Sequence, residues 1–177
     1  HALMYKREQL VKSGTVLPEH TFYVDNLFAY KPLPYMNTLY YLDVDLYHYF
    51  IGREDQSVSM KNIVKRYAQQ QTVMREMTDA YTWNEIKYMV RGLKRYMWHN
   101  LEVILINTVF FTCAEYSKER KAALKALWKH IKERDGALYR RLRYFSYASF
   151  FYLMPWKLRG FVMTKGYLYL CRKIKLG

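Results

Sequence analysis

The chain is poor in cysteine, glycine and proline: its 177 residues hold two Cys, seven Gly and four Pro. Cys113 and Cys171 stand far apart and form neither a Cys-x-x-Cys pair nor a disulfide framework, which points to a reducing compartment. Neither has a His or an acid at a spacing that suits nucleophilic work, so both read as small buried or half-buried hydrophobes. The glycines are isolated, which excludes a glycine-rich phosphate loop. Histidines at 1, 20, 48, 99 and 130 provide no His-Glu-x-x-His and no metal-ligand spacing. No stretch reaches the ~20 apolar residues needed to span a bilayer; residues 103–114 and 145–155 are the longest candidates, and both are too short and too polar. The opening His1-Ala2-Leu3-Met4 has no basic n-region or cleavage site and reads as a chain entered in mid-sequence.

Hydrophobic residues make up 51% of the chain and aromatics 18%, with 19 Tyr against nine Phe and four Trp. At this length roughly 70% of the unfolded chain's surface can be buried, so a real core is expected. Tyrosine joins a flat apolar body to a polar tip and suits clefts and wet interfaces.

Charge is divided unevenly. Residues 1–80 carry nine Lys/Arg and nine Asp/Glu, whereas residues 81–177 carry 20 Lys/Arg and six Asp/Glu, so the whole net charge of +14 lies in the second part. From Gly136 to the end there are nine basic residues, eleven aromatics and no acid. Such asymmetry points to a polyanionic partner. Trp, Tyr, Phe, Leu and Met mixed with Lys and Arg, as in Met154-Pro155-Trp156-Lys157-Leu158-Arg159-Gly160-Phe161, favour an anionic membrane surface, each basic residue there adding on the order of 1 kcal/mol. An ordinary helical bundle with a solvated basic face is the alternative. No zinc finger, aromatic ribonucleoprotein motif or basic zipper supports nucleic acid as the partner.

Along the chain, residues 2–13 have helical spacing and Gly14 is a natural stop. Residues 21–24 read as a short strand, after which Asp25 is placed to cap a turn or two of helix. The Tyr-rich runs 38–42 and 46–51 read as strands joined by Asp43-Val44-Asp45. From Val58 onward the pattern is helical, with Met60, Val64, Tyr67, Met74, Met77 and Tyr81 mostly three or four apart. Thr82-Trp83-Asn84-Glu85 is a capping box opening a helix to about residue 114. Another helix spans roughly 117–134 and ends at Asp135-Gly136, and two or three more follow, broken by Pro155. Residues 1–57 and 58–177 are therefore expected to be distinct parts.

At Tyr23-Val24-Asp25-Asn26, Leu46-Tyr47-His48-Tyr49-Phe50 and Arg53-Glu54-Asp55-Gln56-Ser57 the chain resembles the C-terminal half of family 2 glycosyltransferases, over about residues 2–80. Met4-Tyr5-Lys6-Arg7-Glu8-Gln9-Leu10, Gly14 and Leu17-Pro18-Glu19 match that family's helix and following loop. The resemblance implies an α+β fold, mostly α, in which short strands complete the edge of a GT-A-type sheet before a helical, basic C-terminal extension. It implies an inverting transfer of a sugar from a nucleotide donor to a cell-surface polysaccharide or lipid-linked acceptor, at the inner face of a bacterial cell membrane.

Within that resemblance Asp25 is the candidate catalytic base; an inverting transfer needs a carboxylate about 3 Å from the attacking oxygen. Val24 stands where the family has Glu. A plain helix cap is the other role open to Asp25. Arg53, Gln56 and Ser57 are candidate substrate contacts; the alternative is a solvated turn that caps the helix from Val58, with Ser57 as its N-cap. Tyr47 and Tyr49 share one strand face and suit either sugar stacking or packing; His48 has no assigned role. The family holds Mg or Mn on a DxD motif upstream of the base. Asp43-Val44-Asp45 has that spelling but follows the base candidate, so no metal ligand is assigned here and the donor half of the site is expected to lie outside the chain. This segment alone is expected to be inactive. A homodimer is open, and a non-enzymatic basic helical module binding anionic membrane or a protein is the rival reading.

Overall fold

The computed structural model describes residues 2–48 and 59–173. Helix α1, Arg7–Lys12, ends at Gly14, whose φ of 61° is left-handed. Helix α2, Asp25–Tyr30, leads through Pro32 into a 3₁₀ turn, Leu33–Tyr35. Helix α3, Met60–Lys65, is capped by Ser59, and α4 spans Tyr67–Ala80. Helix α5, Trp83–Tyr88, opens on the expected capping box: the Glu85 N–H donates to Thr82 Oγ1 at 3.3 Å and the Thr82 N–H to Glu85 Oε2 at 2.7 Å. Then come α6, Arg91–Cys113, and α7, Lys118–Arg134, the latter capped by Ser117. Helix α8, Gly136–Tyr144, is capped by the Asp135 carboxylate, which accepts from the Ala137 and Leu138 N–H groups. The short α9, Ser149–Tyr152, and the long α10, Trp156–Lys173, complete the order.

Helices α4, α6 and α7 pack against one another and form the centre; α2 lies on α4, α5 and α10 on α6, and α8 on α7. Val73, Met74 and Met77 of α4, Leu101, Leu105 and Val109 of α6, and Leu124, Leu127 and Ile131 of α7 fill the core at helical spacing. Leu27 and Tyr30 of α2 are fully buried in the same cluster. A polar seam crosses it: Gln70 Nε2 donates to Thr108 Oγ1 at 3.4 Å and Gln71 Nε2 to Thr112 Oγ1 at 2.9 Å. Both threonine hydroxyls donate to the carbonyl four residues back, at 2.7 Å, so these buried polar groups are satisfied. Arg120 is also buried, donating to the carbonyls of Phe111 at 3.0 Å and Val64 at 2.6 Å while lying over the Tyr67 ring.

The fold class differs from the α+β expectation. The described residues are mostly helical and contain no strand or sheet, so no edge of a GT-A-type sheet is present among them. The physical reason differs by segment. Residues 22–24 form a turn, with His20 at φ 51° before it and Tyr23 at φ 68° within it, and a left-handed residue interrupts an extended run. Residues 38–42 alternate no buried face with an exposed one: Leu39, Tyr40 and Tyr41 are all more than three-quarters exposed. A strand needs a ladder partner and a face to bury, and this run has neither among the described residues. The last expected strand, 46–51, is without regular structure through His48, and its remainder lies outside the described residues.

Two helix boundaries also differ. The helix expected from Thr82 to about residue 114 is two, because Met89 and Val90 are both extended. The cap of α3 is Ser59, which accepts from the Asn62 N–H; Ser57 and Val58 lie outside the described residues.

Candidate functional site

Asp25 sits at the start of α2, exposed, with Val24 in the N-cap position. It is therefore a first-turn residue rather than the expected cap. A carboxylate there still benefits from the helix dipole. Among the described residues its carboxylate accepts no hydrogen bond and joins no ion pair, and the residue is exposed.

What precedes it is firmly held. His20 and Tyr23 both adopt the left-handed conformation, which costs a non-glycine residue on the order of 1–2 kcal/mol and persists only where the surroundings enforce it. Gln69 of α4 supplies part of that enforcement. Its Oε1 accepts the Phe22 N–H at 3.3 Å and its Nε2 donates to the His20 carbonyl at 3.4 Å, so one side chain bridges both sides of the turn. The Arg66 guanidinium lies over the Phe22 ring, 3.4 Å from the centroid. The Tyr23 ring meets Phe111 of α6 edge-on at 5.4 Å, and Asn26 Nδ2 donates to the Tyr23 carbonyl at 3.0 Å. Beyond the first turn, Tyr5 donates to the Phe28 carbonyl at 3.1 Å and packs edge-on against its ring. Rigid mounting on packed helices is what a positioned base requires.

Electrostatics tie three of these groups together. Burial pushes the Tyr23 hydroxyl above its ordinary range; the hydrogen bond and charge of Arg66 draw it back, and the Asp25 charge adds to the rise. Asp25, Tyr23 and Arg66 thus form one small cluster at the surface between α2, α4 and α6. Of the three, sequence reasoning gave a role to Asp25 alone, with Tyr23 read only as part of the motif around it. Arg66 and Gln69 lie more than forty residues away, and no local pattern marks a contact of that separation.

Of the other candidates, Tyr47 is half-exposed on a segment without helix or strand. Tyr49, Arg53, Gln56 and Ser57 lie outside the described residues. Asp43 and Asp45 occupy the expected turn: Tyr41 donates to Asp43 Oδ1 at 3.3 Å, and the Leu46 N–H donates to the Val44 carbonyl across Asp45. Among the described residues no three His, Cys, Asp or Glu side chains gather as a metal site.

Comparison with protein-family models, with curated proteins and with solved structures found no match to this chain.

Proposed function

We propose that this chain is the acceptor-side part of an inverting glycosyltransferase and that Asp25 is its general base. The observation that carries the reading is an exposed carboxylate with no hydrogen-bond or ion-pair partner among the described residues, mounted on a strained turn that distant side chains clamp. Strain of this kind gathers where geometry serves function. The order of motifs from Tyr5 to Ser57 adds the chemistry. In the step, the acceptor hydroxyl oxygen attacks the anomeric carbon, its proton passes to an Asp25 oxygen, and the bond to the nucleotide diphosphate breaks with its electron pair leaving on the diphosphate. The nucleotide site belongs to a part of the enzyme outside these residues. Arg53, Gln56, Ser57, Tyr47 and Tyr49 remain the proposed substrate contacts. Lipid-linked or polymer hydroxyls are the acceptor class, met at the cytoplasmic face of the membrane.

The test is Asp25→Asn in the complete enzyme carrying this segment. General-base loss should lower transfer by about 10²- to 10⁴-fold while donor binding changes little. Asp43→Asn should keep its activity. An Asp25→Asn enzyme that transfers normally overturns the assignment, as does turnover of a nucleotide sugar by the 177-residue chain alone.

A second reading is favoured by the described residues being mostly helical and without a strand: a non-enzymatic basic helical module that binds an anionic surface or a protein. It predicts no transfer activity in any chain that contains the segment.

A further inference from the structure

Helix α10 buries one side and leaves the other without a partner among the described residues. Gly160, Met163 and Tyr167 face α6, and Gly160 approaches it so closely that a Cβ there would stand 2.1 Å from the Cys113 carbonyl oxygen. On the opposite side, Leu158, Phe161, Lys165, Tyr169 and Arg172 recur at steps of three and four residues, and all are exposed. At 3.6 residues per turn these five fall on one outward stripe about 80° wide. A water-facing helix surface should be polar, yet Leu158, Phe161 and Tyr169 are 49%, 60% and 65% exposed. Apolar residues and cations thus share one stripe along the length of the helix.

Beside this stripe, where α10 meets the end of α6, is a shallow cleft of about 300 Å³ walled by Tyr116, Trp156, Lys157, Phe161, Thr164 and Lys165. Both lysine ammonium groups lie over aromatic rings: Lys157 Nζ is 5.5 Å from the Tyr116 centroid and Lys165 Nζ 5.7 Å from that of Phe161. The Trp156 indole N–H is buried and finds no acceptor among the described residues.

We infer that the outward stripe of α10, with the adjoining cleft, docks on an anionic lipid bilayer, the helix lying in the plane of the interface. Charge decides the occupant. No acidic residue occurs from Gly136 to the end of the chain, so a second copy laid across this face would oppose Lys165 and Arg172 with their own equivalents. A nucleic acid would want closely spaced cations, whereas three of the five stripe residues are apolar. An interfacial helix combines the two, with aromatic and aliphatic groups in the acyl boundary and Lys or Arg at the phosphates. None of the described helices is long and apolar enough to cross a membrane, which fits a helix that lies on it. The inference holds under either functional reading above.

Vesicle flotation of the 177-residue chain tests it. The chain should float with phosphatidylcholine vesicles that contain phosphatidylglycerol, bind pure phosphatidylcholine weakly, and be released by high salt. Phe161→Ser with Tyr169→Ser should lower partitioning at least tenfold, and Lys165→Glu with Arg172→Glu should remove the preference for phosphatidylglycerol. Circular dichroism melts of both pairs should match the parent, since the side chains point outward; should one pair unfold, the other still decides. Absence of flotation, flotation unchanged in both pairs, a dimer dispersed by the Phe161 and Tyr169 changes in place of lipid binding, or preferential capture of duplex DNA overturns the inference. Asp25→Asn should leave flotation untouched, which separates this result from the catalytic one.

Discussion

The Arg66 guanidinium lies over the Phe22 ring at 3.4 Å from its centroid, joining two residues 44 positions apart. It fastens the turn before Asp25 to the junction of α3 and α4. Gln69 adds two hydrogen bonds one turn further along. An exposed cation–aromatic contact contributes about 0.5–1 kcal/mol, and a typical hydrogen bond about 1 kcal/mol. Arg66→Met with Gln69→Ala should therefore free the turn locally. Amide hydrogen exchange of residues 20–26 should rise about tenfold or more, while α6 and α7 keep their protection. Unchanged exchange across 20–26 would show that the left-handed residues are held by something else.

Gly160 and Gly166 share α10 and should respond oppositely to alanine. At Gly160 the new methyl would collide with the Cys113 backbone, so α10 must move off α6, at a cost of about 1–3 kcal/mol. At Gly166 nothing stands within 4 Å, and exchange of glycine for alanine in an exposed helix interior stabilises by about 0.5–1 kcal/mol. Thermal melts of Gly160→Ala and Gly166→Ala should shift down and up respectively. Equal shifts would mean that α10 does not sit against α6 as described.

The capping box sets a pH dependence. The Thr82 hydroxyl and backbone N–H both donate to Glu85 at 2.7 Å, and these hydrogen bonds hold its carboxyl below the ordinary value of 4.5. A depressed carboxylate contributes stability above its unfolded value and loses it as pH falls through the folded one. The stability gap between the parent and Glu85→Gln should be full at neutral pH and shrink progressively below about pH 4.5. Urea titrations at neutral and acid pH measure it; a gap that widens in acid would contradict the sign.

The two cysteines should differ in reactivity. Cys113 is 3% exposed, and burial pushes its thiol up to about 11, against a partial pull downward from Arg159. Cys171 is partly exposed near the end of α10. Since the thiolate is the nucleophile, iodoacetamide at neutral pH should label Cys171 well before Cys113 in the native protein. Mass spectrometry after brief labelling reads this directly, and denaturant should equalise the two.

Much of the helical part was legible because its signals are local. The Thr82 box, Ser117, Asp135 and Pro155 each mark a boundary through the backbone groups of their own neighbours. Gly14 was legible as a stop for the same reason. The first part was misread because Tyr-rich alternation is a strand signal only where a ladder partner exists, and Leu39, Tyr40 and Tyr41 stand in water. The break at Met89-Val90 carries no Gly or Pro and was invisible. Charge was legible in sum but not in direction: Arg120 and Arg159 turn inward to backbone carbonyls, Arg159 reaching those of Phe151 and Met154, so they are structural rather than partner-facing. Asp25 was picked out by resemblance. That it caps nothing, and that Arg66 and Gln69 secure the turn behind it, depends on contacts across the fold.

Three successive glutamines on α4 reach three different places: Gln69 the turn before Asp25, Gln70 Thr108, and Gln71 Thr112. Neighbouring helical positions point about 100° apart, so no rotation of α4 other than the present one serves all three. A slip of α4 by a single residue would break the seam with α6 and release the Asp25 turn together. The helix thus works as a key with three teeth, and its register carries the alignment of the core out to a surface carboxylate.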